Sequence, residues 1–105
     1  MADNIVLTES TYYILLSLHT PNHGYGIMLT TEQLSGGRVH LAAGTLYGAL
    51  SALCDKGWIS PLEDADGGRK KMYKLTDKGE SVLQNELKRL KSLVESGEAV
   101  LKEEK

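Results

Sequence analysis

Arg69, Lys70, Lys71 and Lys74 fall within six residues of one another in the stretch "GGRKKMYK". A cluster of this kind neutralises phosphates, and any nucleic-acid binding by this chain would have to come from such a patch. The chain as a whole has 12 Lys and Arg against 14 Asp and Glu, a net charge of −2, and so no global attraction for a polyanion. The same run serves equally well as the solvated face of a hairpin.

A second stretch, "GTLYGALSALCDKGWI" (44–59), carries a different kind of signal. Leu46, Leu50 and Leu53 recur at i, i+4, i+7, the spacing of one buried helical stripe. The opposite face holds Gly44, Gly48, Ser51, Ala52 and Asp55 and is nearly bare. A bare face lets a helix backbone lie close against another body, either a second helix or the edges of bases in a groove. Thr45 and Ser51 can hydrogen-bond to base edges, but the bidentate readers Arg and Asn are missing from this face.

His19, His23, His40 and Cys54 are the candidate metal ligands. His19 and His23 have the i, i+4 spacing that can hold zinc on one helix. Pro21 and Gly24 break the helix at that point, so the pair is not expected to share a face. Cys54 falls near the buried side of its helix and reads as a small core residue. No nucleophile, base and orienting group come together in the sequence, so the reading is of a protein that is not an enzyme and needs no cofactor or metal. A metal-responsive regulator stays as an alternative.

The elements that must position these groups follow from local signals. At 105 residues the chain reads as one compact domain, with a single Cys and hence no internal disulfide. No run approaches membrane-spanning length and no basic, then apolar, leader is visible, so the expectation is a cytoplasmic protein without membrane contact. Thr8 is placed to cap a first helix, "ESTYYILLSLH", with Ile14, Leu15 and Leu18 on one side. "TPNHG" breaks it. A second helix, "YGIMLTTEQL", should bury Ile27, Met28 or Leu29, and Leu34, and the connector "SGGRVHLAA" leads to a third from Ala43 to about Lys56. Gly57 stops that helix. Trp58 is expected to start the hairpin and pack on the core. "WISPLED" and "KKMYKL" are β-prone runs joined across "ADGG", and Pro61 marks the first as an edge strand. Thr76 should cap a last helix from Asp77 to about Glu104, roughly 40 Å long.

The predicted order is α-α-α-β-β-α, mainly helical, with residues 1–75 as a winged helix-turn-helix and residues 76–105 as a C-terminal helix. In that architecture the third helix enters a major groove and the hairpin touches the flanking backbone. The connector is longer than the turn of a minimal helix-turn-helix, which favours the winged variety. Along the last helix Leu83, Leu87, Leu90, Val94 and Leu101 alternate steps of four and three, with Gly97 in the missing slot. That is a heptad seam, and it predicts a homodimer. Ile5, Val6, Tyr12 and Leu16 of the first helix region are expected to complete the interface. A winged-helix module used only for protein contacts is the competing reading.

"PNHGYGIM", "GTLYGALSALCDKGWI" and "GRKKMYKLTDKGESVL", with their spacing, resemble the PadR family of bacterial transcriptional regulators over about residues 7–90. The resemblance implies a dimeric winged-helix repressor that binds double-stranded DNA and is released by a small hydrophobic or aromatic effector. One helix after the wing is similar to the compact subgroup. Carried over, Gly44, Thr45 and Tyr47 form the groove-facing start of the recognition helix, with Gly48 and Ser51 further along it. Arg69, Lys70 and Lys71 form the wing, Tyr73 braces the hairpin, and the Tyr25 hydroxyl meets a phosphate. Tyr47 can equally pack under the wing. The family commonly has Pro where this chain has Gly48, and more charge near Ala52 and Cys54. Modest specificity per half-site is therefore expected, with shape and backbone contacts supplying much of the affinity.

Overall fold

A computed structural model describes residues 5–62 and 71–102. The elements are α1 (Glu9–Ser17), β1 (Asn22–His23), α2 (Gly24–Leu34), α3 (Ala43–Asp55), β2 (Ile59–Leu62), β3 (Met72–Leu75) and α4 (Asp77–Lys102). The helices start and stop where the local chemistry directs. The Thr8 hydroxyl accepts the Thr11 N–H at 3.1 Å and opens α1. At the end of α3, Gly57 adopts φ 76°, its N–H donates to the Cys54 carbonyl at 2.9 Å, and the Trp58 N–H donates to that of Leu53 at 3.1 Å. This pair of bonds is a Schellman motif, and the left-handed residue at its centre favours glycine.

Thr76 joins the end of α3 to the start of α4. Its hydroxyl donates to the Gly57 carbonyl at 2.6 Å and accepts the Gly79 N–H at 3.0 Å, while its own N–H donates to the Trp58 carbonyl at 3.0 Å. The predicted cap of the last helix is thus also a rivet between two elements.

The sheet holds one strand more than expected. Within "TPNHG", Asn22 and His23 pair antiparallel with Tyr73 and Met72, giving the order β1-β3-β2. A strand of two residues has no periodicity to read, and its turn-forming composition hides it. β2 is an edge strand, as Pro61 requires, with Pro61 opposite Tyr73. The core gathers Ile14, Leu15, Leu18, Ile27, Leu46, Leu50, Leu53, Trp58, Ile59, Tyr73, Val82 and Leu83. The α3 stripe and Trp58 lie where the spacing puts them. α1 ends two residues short of His19. Of Met28 and Leu29, Met28 packs partly buried against the core and Leu29 is 46% exposed; Leu34, expected to be buried, is 52% exposed, and Thr31 fills a core position on α2. With Ile27 anchoring the face, Thr31 is the residue one turn further on and Leu29, two residues on, points away, whereas Leu34 falls on the same line but is the last residue of α2.

Leu83 belongs to this core rather than to an open seam, because the first turns of α4 pack on the winged body. Residues 91–102 of α4 are exposed along their whole length. None of the helices described is both long and apolar enough to cross a membrane.

Candidate nucleic-acid interface

The buried stripe of α3 fixes its rotation, and with Leu46 and Leu50 at 0% and 1% exposure the opposite side must face outward. Gly44, Thr45, Gly48, Ser51 and Ala52 are all exposed there. A Cβ added at Gly44 or Gly48 would meet nothing within 4 Å. The bare face seen in the sequence is therefore bare in the folded chain. Among the described residues no side chain caps the start of α3 at Ala42, where the first N–H groups of a helix have no intrahelical partner.

Two tyrosines, one near the start of α2 and one near the start of α3, are exposed. Tyr25, in the first turn of α2, is 64% exposed, and Tyr47, at the start of the second turn of α3, is 52% exposed. Tyr47 reaches back over the start of α2, where a Cβ on Gly24 would lie 2.8 Å from its Cζ. The same ring lines a groove of about 400 Å³ between α3 and the hairpin, together with Ser51, Cys54, Asp55, Lys71 and Tyr73. The Tyr47 ring thus lines the wing-side groove while remaining half exposed.

Lys71 is exposed at the mouth of this groove. Lys74, opposite Ser60, also faces outward. Arg69 and Lys70 lie outside the described residues. Tyr73 is 7% exposed and is paired on both sides, with Asn22 and with Pro61, so it braces the three strands. Burial holds its hydroxyl proton more tightly than in water, with Cys54 and Tyr47 adding to that. Burial likewise pushes the Cys54 thiol up, against a smaller opposing pull from Lys71. A thiol held protonated is a poor nucleophile and a poor ligand.

His23 has a structural task. Its Nδ1 accepts the Gly26 N–H at 3.2 Å and caps α2. His19 stands beyond the end of α1, so the two imidazoles do not share a helix. Among the described residues no three His, Cys, Asp or Glu side chains gather to hold a metal.

On α4, Leu87, Val94 and Leu101 are 39%, 56% and 76% exposed, Leu90 is half-buried, and Leu93 and Val100 extend the same apolar side. A groove of about 530 Å³ runs between this side and α1, lined by Tyr12, Leu87, Leu90, Lys91, Val94 and two glutamates. Sequence reasoning missed Glu86 beside it, a carboxylate only 2% exposed. It also missed Asn22 and Gly24, although "NHGYG" ahead of an apolar run carried a signal. A His two residues before a Tyr, with glycines between and after, fits a side-chain cap on a crowded helix start.

The family described as transcriptional regulator PadR-like matches residues 14–85. Bacillus subtilis PadR, solved in complex with operator DNA, superposes with a TM-score of 0.63 at 32% identity, covering 72% of this chain and 44% of that one. A PadR family transcription regulator from Clostridium difficile R20291 gives a TM-score of 0.71 at 26% identity, over 90% of this chain and 99% of that one. An uncharacterized 37.1 kDa protein in transposon TN4556 of Streptomyces fradiae is 44% identical over 66 residues, which are 63% of this chain. The chain spans 18% of that protein's length and under half of Bacillus subtilis PadR. With a family match over residues 14–85 and a fold shared with a PadR family regulator over 90% of the chain, the chain belongs to the PadR-like family of transcriptional regulators.

Proposed function

We propose that the chain acts as a homodimeric, sequence-specific DNA-binding repressor, with α3 in the major groove and the hairpin on the adjoining backbone. The observation that carries this reading is the exposed, side-chain-poor face of α3, with Gly44 and Gly48 open and Thr45 and Ser51 as the polar groups on it. Such a face has little use in solvent and permits close approach to base edges. Tyr25 and Lys71 flank it as phosphate contacts, and Arg69 and Lys70 extend the basic patch by sequence.

The exposed apolar side of α4 supports dimerisation through Leu87, Leu90, Val94 and Leu101, with Leu83 holding the helix to its own body. A two-fold pair sets its recognition helices about 34 Å apart and reads a palindrome. Occluding a promoter needs no further surface, which makes repression the simplest output. The apolar groove between α1 and α4 supports release by a small hydrophobic or aromatic effector.

Selection of bound sequences from random duplexes at two salt concentrations tests the proposal. A recovered palindrome with steep salt dependence is the expected result. Weak binding without a consensus, indifferent to salt, overturns it in favour of a module for protein contacts.

A further inference from the structure

Gly24 is the first residue of α2 and is buried. Its backbone is outside the left-handed region, so its φ bars no side chain. What bars one is Tyr47. A Cβ on Gly24 would overlap the Tyr47 hydroxyl and lie 2.8 Å from its Cζ and 3.1 Å from its Cε1. The phenol of α3 is seated on a position of α2 that lacks a side chain.

The residues around this seat are committed elsewhere. Asn22 and His23 pair with Tyr73 and Met72 of β3, and His23 caps α2. The start of α2, the N-terminal half of α3 and the hairpin therefore converge where Tyr47 rests. Resting on the DNA-binding reading above, we infer that Gly24 is a positioning residue for the interface, its missing Cβ fixing the place of the Tyr47 phenol at the DNA-facing edge.

The geometry gives Gly24→Ala an unusual signature. The atom it strikes is the far end of a half-exposed side chain, free to swing about χ1, so the fold is kept and the tyrosine is displaced. Alanine is also the better residue in a helix. Stability and DNA binding should then move in opposite directions.

The test uses the full chain and an operator selected from random duplexes, with Gly24→Ala, Tyr47→Ala and the double variant. Gly24→Ala is expected to lose roughly tenfold in operator affinity, the scale of one hydrogen bond to the DNA, with a Tm at or above that of the parent. Tyr47→Ala should lose as much, and the double variant no more than Tyr47→Ala alone. Parental affinity in Gly24→Ala, additive losses, or a lowered Tm with the lost affinity would overturn the inference. A second readout needs no DNA. The ¹³C-tyrosine ring signal of Tyr47, assigned with Tyr47→Phe, should shift in Gly24→Ala, and an unmoved signal removes the seat. A parent that selects no duplex sinks the DNA-binding reading instead, and the ring signal still decides the seat.

Discussion

Glu86 and Arg89 stand one turn apart on α4 and are joined by two bonds of 2.7 Å, Nε to Oε1 and an Nη to Oε2. The same carboxylate accepts the Leu7 N–H at 3.2 Å, so a buried charge on α4 holds the segment ahead of α1. Only a carboxylate has enough acceptor sites for all three donors. The bidentate pair keeps its charge balanced away from water.

The Arg89 guanidinium, followed by the Leu7 N–H, holds the Glu86 carboxyl below its ordinary value of 4.5, against the opposing effect of burial. Because the folded-state value is depressed, the stabilisation is complete above the ordinary glutamate range and is lost as pH falls through the lower, folded-state value. Glu86→Gln should therefore lower Tm at pH 7 by several degrees and flatten the fall of Tm below pH 4.5. Thermal unfolding of both proteins between pH 3 and pH 7 checks this. Parallel curves would mean that other carboxylates set the acid limb.

Gly57 ends α3 at φ 76°, with nothing within 4 Å of an added Cβ. The cost of Gly57→Ala is therefore one of backbone conformation alone, about 1 kcal/mol. Denaturant unfolding should show a lower midpoint with an unchanged slope.

Lys71 and Thr45 are expected to fail in different ways. Lys71→Ala should weaken all duplexes about equally and reduce the salt slope by about one, as loss of a single phosphate contact does. Thr45→Ala should instead blur sequence preference. Binding of cognate and random duplexes across a salt series separates the two, and equal losses for Thr45→Ala on both would remove it from base reading.

Val94 sits mid-seam on α4 and is 56% exposed in the single chain. Val94→Lys places a charge at the centre of the proposed interface, where it has no water in the dimer. Sedimentation should report a monomer at concentrations where the parent is a dimer, and a dimer that persists would move the interface off this seam.

The repeat of Leu46, Leu50 and Leu53, the caps at Thr8 and Thr76, the stop at Gly57 and the buried Trp58 were all legible in the chain, and with them the winged helix. Each rests on neighbours within a few residues, where spacing and side-chain chemistry decide the outcome. The bare face of α3 was legible for the same reason, since the rotation that buries three leucines leaves the glycines outside. Only the tertiary structure showed that Asn22 and His23 form a third strand, that Gly24 seats Tyr47, and that Glu86 is buried under Leu7. It also divided the α4 stripe, turning Leu83 into the winged body while Val94 and Leu101 stay open. Periodicity tells which side of a helix is apolar. What covers that side depends on contacts between residues far apart in sequence, as in the bond from Leu7 to Glu86.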